Sequence, residues 1–387
     1  MKLATRMGRL GTETAFEVLA KARALEAQGK EVIHLEIGEP DFDTPRNIVN
    51  AGVAALQSGW THYGPSNGLP ELRAAIAKDV SDTRGVPYTA DQVVVTPGGK
   101  PIMFYVIMAM AEEGDEVLYP NPGFPIYESM INFVGATAVP VPLREECEFR
   151  IDLDEFRSLI TPKTRLAIIN SPQNPTGGVL SKDDLKEIAR LAVKHNFWVM
   201  TDEIYARCLY EGVADTIVAF PGMPERTIIL DGFSKTYAMT GWRIGYGVMP
   251  QELAPHISRL MTNSNSCTAS FTQRAALEAI TGPQEDAYRM VAEFKARRDV
   301  IVDGLNDIPG ISCLRPHGAF YVFPNIRKLG KSSREVADHL LYQGGVAALS
   351  GTAFGIYGEG YLRLSYANSV ANIEKALAWI RAAVATL

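Results

Sequence analysis

The sequence predicts an α/β fold in which helices cover both faces of a mostly parallel sheet, giving three layers. Between about residues 50 and 250, short runs rich in β-branched residues alternate with helical stretches. This alternation is typical of parallel strands joined by crossover helices. Polar motifs follow several of the runs, and ligands of such sheets bind beyond the carboxyl ends of the strands. We therefore expect a binding site at that edge.

Five short apolar runs are interpreted as the buried strands of this sheet. They are Gln92–Thr96, Glu116–Tyr119, Arg165–Asn170, Phe197–Thr201 and Thr227–Leu230. Between them, Lys182–His195 carries apolar residues at helical spacing. The apolar run Ile102–Ala111 has about half the length of a membrane span, so we interpret it as a buried helix.

The two ends of the chain show a different pattern. A helix is predicted at Phe16–Gly29, a long charged helix from about Pro283, and a final helix from Ser369. Strands are predicted at Ala319–Phe323 and Tyr361–Tyr366. We therefore expect a smaller α+β domain built from both ends. The predicted divisions are 1–45 for an N-terminal arm and part of this domain, 46–283 for the large domain, and 284–387 for the rest of the small domain.

Composition excludes several classes of protein. The chain has 387 residues, of which 47% are hydrophobic and 21% charged, with a formal charge of −6 and no basic block. Nucleic-acid and membrane partners are therefore not expected. The four cysteines lie far apart, without metal-site spacing, which predicts no metal and a reducing compartment. Because the N-terminus lacks the apolar core of a signal peptide, we expect a cytoplasmic protein.

The segment Phe233–Arg243 (FSKTYAMTGWR) follows directly on the predicted strand Thr227–Leu230. A lysine at the end of a buried strand can lose its proton and attack a carbonyl to form a Schiff base, which makes Lys235 a candidate nucleophile. Arg243 could hold a phosphate through a fork of hydrogen bonds. Pyridoxal phosphate carries both groups, an aldehyde that forms Schiff bases and a phosphate by which it can be bound.

Two further strand ends carry polar residues. Asp202 closes the run FWVMT, and a buried carboxylate there requires a donor, such as a protonated ring nitrogen. Tyr205 could donate to a ring oxygen. The alternative is a helix-capping aspartate beside a core tyrosine. Asn174, in the loop NSPQNPTGG, could meet a ring oxygen or a carboxylate, although this composition also fits an ordinary turn.

The remaining candidates are weaker when each is taken alone. In TPGGKP, Gly98 and Gly99 would let the backbone approach an anion, but the spacing is not that of a phosphate-binding P-loop. Phe124 is by default a core or turn aromatic residue, and Tyr63 a loop residue. Arg363 lies in an apolar strand and needs an anionic partner, either a structural carboxylate or a ligand.

Together, these residues resemble the active site of pyridoxal-phosphate aminotransferases of fold type I, class I/II. The residues that carry the resemblance, in their order along the chain, are Asn174, Asp202, Tyr205, Lys235, Arg243 and Arg363. The likeness extends over nearly the whole chain, including Ile37–Pro45 (IGEPDFDTP). It is closest to bacterial enzymes commonly called aspartate aminotransferases.

The resemblance implies roles for the catalytic residues. Lys235 is expected to hold the cofactor as a Schiff base and later to move a proton between substrate and cofactor. Asp202 is expected to pair with the pyridine nitrogen, while Tyr205 and Asn174 meet the ring oxygen. Arg363, with the Gly38 backbone nearby, is expected to bind the substrate α-carboxylate.

The resemblance also implies how the rest of the cofactor is held. Phe124 matches the aromatic residue that stacks on the ring. The phosphate is expected to be bound by Gly99, Lys100, Ser234 and Arg243. Tyr63 matches a tyrosine that reaches the phosphate from the neighbouring subunit, which implies a homodimer with shared sites. One departure is Gly232, where many relatives carry a phosphate-binding serine.

The predicted reaction is ping-pong transfer of an amino group from an L-amino acid to a 2-oxo acid such as 2-oxoglutarate. Aspartate and glutamate are the favoured donors, because a lysine at the position of Lys100 is associated with the distal carboxylate in some similar enzymes. Phe16, Ile37 and Phe354 could instead line a pocket for aromatic or aliphatic side chains, giving an aromatic, alanine, methionine or broad specificity. A carbon–sulfur β-lyase remains a third alternative. Retention of the lysine argues against a non-catalytic regulator.

Overall fold

The computed structural model of the protein describes residues 2–212 and 214–387. In this part of the chain the strands are β1 (Ile33–His34), β2 (Val93–Thr96), β3 (Glu116–Asn121), β4 (Thr137–Pro142), β5 (Thr164–Asn170), β6 (Trp198–Asp202), β7 (Thr227–Gly232), β8 (Gly245–Val248), β9 (Tyr321–Val322), β10 (Val346–Ala347), β11 (Leu349–Ser350) and β12 (Leu362–Ser365). The α-helices are α1 (Ala15–Glu26), α2 (Arg46–Gln57), α3 (Pro70–Arg84), α4 (Lys100–Met110), α5 (Ile126–Val134), α6 (Leu153–Leu159), α7 (Lys182–His195), α8 (Ala254–Ser264), α9 (Ser270–Thr281), α10 (Glu285–Asn306), α11 (Ser333–Tyr342) and α12 (Val370–Val384).

The main sheet has the strand order β2-β8-β7-β6-β5-β3-β4. Its pairings are parallel except those of β8, which runs antiparallel to both β2 and β7. The register places Asn170 opposite Asp202, and Asp202 opposite Leu230. The carboxyl ends of β5, β6 and β7 therefore lie side by side at one edge of the sheet.

Successive residues of the central strands face two different hydrophobic cores. In β5, Ala167 and Ile169 belong to one core, whereas Leu166 and Ile168 belong to the other. This alternation follows from the period of two residues in a strand. Because both faces are covered, the strands are apolar throughout, and the predicted three-layer α/β architecture is confirmed.

A further core is built from both ends of the chain. It contains Ile33 and Leu35 near the N-terminus together with buried residues of α10, α11, α12, β9 and β12. In this region β1 pairs in parallel with β10, while β12 pairs antiparallel with β9 and β11. The smaller α+β unit assembled from both ends is present, and the divisions at residues 45 and 283 stay predictions.

Several predicted elements have the bounds that their local signals indicate. The helix α7 coincides with the predicted stretch, because Ser181 and Asp184 form a capping box at its start and Asn196 takes a left-handed conformation after its end. The first helix is shorter than predicted and ends at Glu26, before Gly29 (φ +82°). The edge strand β4 (TAVPVP) and the glycine-containing β8 (GYGV) were not predicted. Across residues 2–212 and 214–387, no helix has both the length and the apolar character that a membrane crossing requires.

Candidate active site

Lys235 lies three residues beyond the end of β7, in a cavity at the carboxyl edge of the sheet. Its Nζ donates to the carbonyl oxygen of Gly38 at 2.5 Å and lies 5.8 Å from the centre of the Phe320 ring. Burial lowers the pKa of the Lys235 ammonium to about 8. A lysine that loses its proton this readily is prepared to attack a carbonyl carbon.

Asp202 ends β6 and is almost completely buried. The Tyr127 hydroxyl donates to its Oδ2 at 2.5 Å, and the Ile204 N–H donates to its Oδ1 at 3.2 Å. Burial raises the pKa of Asp202 to about 6, while the Tyr127 hydrogen bond opposes the rise. Asp202 is therefore a carboxyl group held by a tyrosine of α5 and by a backbone N–H two residues on, and the described residues 203–212 contain no helix that it could cap.

Tyr205 and Tyr321 form a buried pair of hydroxyl groups in the same cavity. Their oxygen atoms lie 2.7 Å apart, and the two rings meet edge to face at a centroid distance of 5.7 Å. Burial raises the pKa of both hydroxyls, so both stay protonated and can donate hydrogen bonds. Tyr321 also lies against Arg363, whose guanidinium carbon is 4.5 Å from the ring centre.

Arg363, on β12, is a buried cation without a carboxylate partner. Its Nη2 donates to the Glu36 carbonyl oxygen, and its Nη1 donates to Asn174 Oδ1 at 3.4 Å. Its Nε has no hydrogen-bond partner, and no described carboxylate lies within ion-pair distance of the guanidinium. Burial lowers the pKa of Arg363, although arginine stays charged in proteins. The arrangement leaves an anion-binding group facing the cavity.

The opposite end of the cavity has the features of a phosphate cradle. Gly98 (φ +90°) and Gly99 lead into α4, and the N–H groups of Gly99 and Lys100 lie at its start and have no acceptor within the helix. The positive φ of Gly98 favours glycine, and a Cβ atom there would displace the Arg243 guanidinium from its position beside the loop. Ser234 also lines the cavity here. Backbone donors, a hydroxyl and a guanidinium thus line the same cavity.

Gly232 has a packing explanation. It lies in β7 opposite Gly245 of β8, and a Cβ atom added to it would approach the Gly245 Cα to 3.0 Å and the Ile244 carbonyl oxygen to 3.3 Å. Gly232 is also not among the residues that line the cavity. A serine at this position would therefore crowd the neighbouring strand.

The mouth of the cavity is formed by residues from three segments. Phe124 lines the cavity in edge-to-face contact with Tyr127, at a centroid distance of 5.7 Å. The Lys100 Nζ lies 5.4 Å from the centre of the Phe124 ring and forms an ion pair with Glu13. Phe16 lines the same opening.

The cavity has a volume of about 990 Å³. The residues to which the resemblance assigns a role all line it except Tyr63, which is 90% exposed, and the further candidates Gly98 and Phe354 are not part of the lining. We call Lys235, Asp202, Tyr205, Asn174 and Arg363 the floor of the cavity, and Glu13, Phe16 and Lys100 its mouth. The residues present fit pyridoxal phosphate with a bound substrate. The guanidinium of Arg363, which has no carboxylate partner in the described part of the chain, suits the substrate carboxylate; the buried Asp202 suits the ring nitrogen; and the Gly98–Arg243 cradle suits the phosphate. No cluster of metal-ligating side chains was found among the described residues.

Four residues of this site were missed by sequence reasoning: Tyr127, Tyr321, Glu36 and Glu13. Tyr321 lies in a run that was interpreted only as a strand, and Tyr127 in NPGFPIY beside Phe124. Each acts on a partner far away in the sequence, with separations from 75 residues for Tyr127–Asp202 to 327 for Glu36–Arg363. No local signal in the sequence identifies such pairs.

Comparisons with known proteins agree with this geometry. The family model described as aminotransferase class I and II matches residues 30–380. The chain is 41% identical over 352 residues to an aspartate aminotransferase of Pyrococcus abyssi, covering 90% of each protein. It is 40% identical over 358 residues to aromatic-amino-acid aminotransferase 2 of Thermococcus litoralis, covering 91% of each. A structure of the aspartate aminotransferase of Thermus thermophilus with maleate superposes with a TM-score of 0.94 at 37% identity, covering 99% of this chain and all of the other.

Proposed function

The chain belongs to the class I and II aminotransferases, and from this premise we propose that its preferred substrates are acidic amino acids and 2-oxo acids. Membership establishes a pyridoxal-phosphate-dependent transaminase that exchanges an amino group between amino acids and 2-oxo acids. The proposal adds the side chain of the substrate, the assignment of individual residues and the dimer.

The observation that carries the residue assignment is the state of Arg363. A buried guanidinium without a carboxylate is costly unless a ligand supplies the missing anion. Every amino-acid and 2-oxo-acid substrate brings an α-carboxylate, and a carboxylate matches the planar fork of arginine in a bidentate pair. Arg363 therefore binds the α-carboxylate, and the Asn174 amide beside it fixes the orientation of the guanidinium.

The cofactor, when bound, supplies an aldehyde that condenses with amines and a ring that accepts electrons from the substrate α-carbon. Lys235 binds the aldehyde between turnovers. Once the substrate amine has replaced it, the Lys235 amine would take the proton from the α-carbon and pass it to the former aldehyde carbon of the cofactor within the same half-reaction. In the second half-reaction it would carry a proton in the reverse direction, to the α-carbon of the new amino acid. The lowered pKa of Lys235 suits this work, because the base is already neutral at mildly alkaline pH.

Asp202 and Tyr205 hold the ring. Asp202, its carboxyl group held in place by Tyr127, would accept a hydrogen bond from the ring nitrogen and keep that nitrogen protonated. Tyr205 donates to the ring oxygen, and the Tyr321 hydroxyl orients it. The supporting contacts, Tyr127 to Asp202 and Tyr321 to Tyr205, are already formed in the protein. The two ring-binding groups therefore need no reorganisation when charge develops at the α-carbon.

Support for acidic substrates comes from the mouth of the cavity. Lys100 brings a cation to the side of the cavity where a substrate side chain would extend, and several relatives are named aspartate aminotransferase. A second candidate is an aromatic or otherwise uncharged donor. It is favoured by the Glu13 carboxylate that already neutralises Lys100, by Phe16 and Ile37 in the lining, and by the aromatic-amino-acid aminotransferase among the relatives.

A homodimer with shared sites is the third part of the proposal. Tyr63 is an aromatic residue that is almost fully exposed and contributes nothing to the cavity of its own chain. Exposure of this degree is expected of a side chain that enters the site of a second copy. A cytoplasmic location stays a prediction from the sequence.

The test is a half-reaction screen of the purified enzyme with its cofactor. Each amino acid is added alone, and the change in the cofactor's visible absorbance is followed. Fast conversion by aspartate and glutamate, with slow conversion by phenylalanine and alanine, is expected. Faster conversion by uncharged donors would replace the acidic assignment with the second candidate. Release of pyruvate and ammonia from cystathionine would identify a β-lyase.

A further inference from the structure

Of the cationic side chains that line the cavity, Arg363 and Lys100 differ in how they are paired. Arg363 at the floor has no carboxylate among the described residues, so the α-carboxylate of any substrate finds it free. Lys100 at the mouth forms an ion pair with Glu13, a residue of the protein itself. The cation that would meet a substrate side chain is thus already neutralised.

The Glu13 side chain is placed to do this without being locked in position. It precedes α1 in the segment 10–14, which has no regular secondary structure and follows a 3₁₀ helix at Thr5–Arg9. Besides the Glu13 ion pair, the Gly11 N–H of this segment donates to Ser129 Oγ at 2.8 Å. Glu13 is 18% exposed and Lys100 48% exposed, so both side chains reach water as well as the cavity.

A ping-pong transaminase must accept two different substrates in one cavity, one after the other. If one substrate has an uncharged side chain, an unpaired Lys100 would be desolvated without compensation. If the other is a dicarboxylate, its distal carboxylate needs that same cation. A carboxylate of the protein that pairs with Lys100 in the first case and yields it in the second satisfies both demands.

We propose that Glu13 is a specificity-determining residue, the exchangeable counter-ion of Lys100, which a dicarboxylate must displace and an uncharged side chain leaves in place. The inference rests on the proposed function and assigns the substrate classes that the mouth discriminates. It predicts that Glu13 weakens dicarboxylate binding in comparison with binding of uncharged substrates.

The experiment uses two inert ligands that cannot undergo transfer because they lack an amino or oxo group, succinate and butyrate. Their dissociation constants are measured by titration of the enzyme with its cofactor bound. The variants are Glu13→Gln, Lys100→Gln and the double variant. Glu17→Gln is the matched control, because Glu17 lies on the exposed side of α1 and does not line the cavity.

Glu13→Gln is expected to tighten succinate binding relative to butyrate by about two- to five-fold, the range of a partly exposed ion pair. Lys100→Gln is expected to weaken succinate alone, and adding Glu13→Gln to it is expected to change nothing further. Glu17→Gln is expected to leave the ratio of the two constants unchanged.

An unchanged succinate-to-butyrate ratio in Glu13→Gln would overturn the inference. An equal change for both ligands would also overturn it, because Glu13 would then affect binding of every ligand alike. A tightening of succinate binding by Glu13→Gln that persists in the double variant, without Lys100, would overturn it too. Failure of the proposed function has a different signature. In that case uncharged amino acids convert the cofactor absorbance of the unaltered enzyme faster than aspartate and glutamate, whatever the ligands show.

Discussion

The floor and the mouth of the cavity are built in opposite ways. At the floor, Asp202 and Lys235 follow adjacent parallel strands, are buried, and have hydrogen-bond partners that fix them. At the mouth, Glu13 and Lys100 are partly exposed and join a segment without regular structure to the first residue of a helix. Rigid elements thus hold the groups shared by all transaminase substrates, while an adjustable ion pair faces the part that differs between substrates.

The largest expected effect comes from removing the cation of the floor. Arg363→Gln should lower kcat/KM for every amino acid by roughly 10²–10³-fold, because the α-carboxylate loses a buried, charge-assisted fork. Single-turnover kinetics with glutamate and alanine measures this. Arg363→Lys is the control that keeps the charge without the fork of hydrogen bonds. Its kcat/KM should fall between the values of the unaltered enzyme and of Arg363→Gln. A loss confined to dicarboxylates would contradict this assignment and show that Arg363 binds the side-chain carboxylate of the substrate.

A smaller effect is expected from Tyr127→Phe. The hydroxyl donates to Asp202 and counteracts the rise in the pKa of that carboxyl group. Without it, the Asp202 pKa should rise further and the fraction ionised at neutral pH should fall. Affinity for the cofactor should then weaken roughly tenfold, as for a hydrogen bond to a charged group.

Equilibrium dialysis of pyridoxal phosphate against the Tyr127→Phe variant gives this affinity. The matched control is Tyr105→Phe, since the Tyr105 hydroxyl is hydrogen-bonded to Asn265 at 3.1 Å, away from the floor. Equal losses in both variants would indicate general destabilisation rather than support of Asp202.

The smallest expected effect is a shift in the pH dependence of covalent cofactor binding by Lys235. Only the neutral amine of Lys235 attaches the cofactor, and burial lowers its pKa from the ordinary 10.5 to about 8. The rate at which cofactor-free protein takes up pyridoxal phosphate covalently should therefore rise with pH and level off above about pH 8. Stopped-flow absorbance measures it. A rate still rising at pH 10 would show that the floor does not desolvate the lysine.

The same contrast explains what the sequence could predict. The floor residues stand in short contiguous motifs after strands, such as DEIY after β6 and FSKTYAMTGWR after β7, and the parallel topology alone brings them together. The ion pair of Glu13 and Lys100 joins residues 87 positions apart, and no periodicity in either segment indicates it. For the same reason Tyr127 was missed, although its neighbour Phe124 was predicted.

The fold shows a parallel limit. Strands that are buried on both faces, such as β5, can be recognised in the sequence as unbroken apolar runs. The strand β4 contains two prolines and lies at the edge of the sheet, and β8 contains two glycines, so neither has a strand signal of its own. The strands β1, β10 and β11 have two residues each and are defined only by their pairing partners, whereas the equally short β9 lies within a predicted run.

The central claim is that Lys235 is the group at the floor that carries the cofactor. The most direct measurement is reduction of the cofactor-loaded enzyme with borohydride, followed by proteolysis and mass spectrometry of the modified peptide. The account predicts a single reduced pyridoxyl group on Lys235. The same label on Lys100 or any other lysine would contradict it.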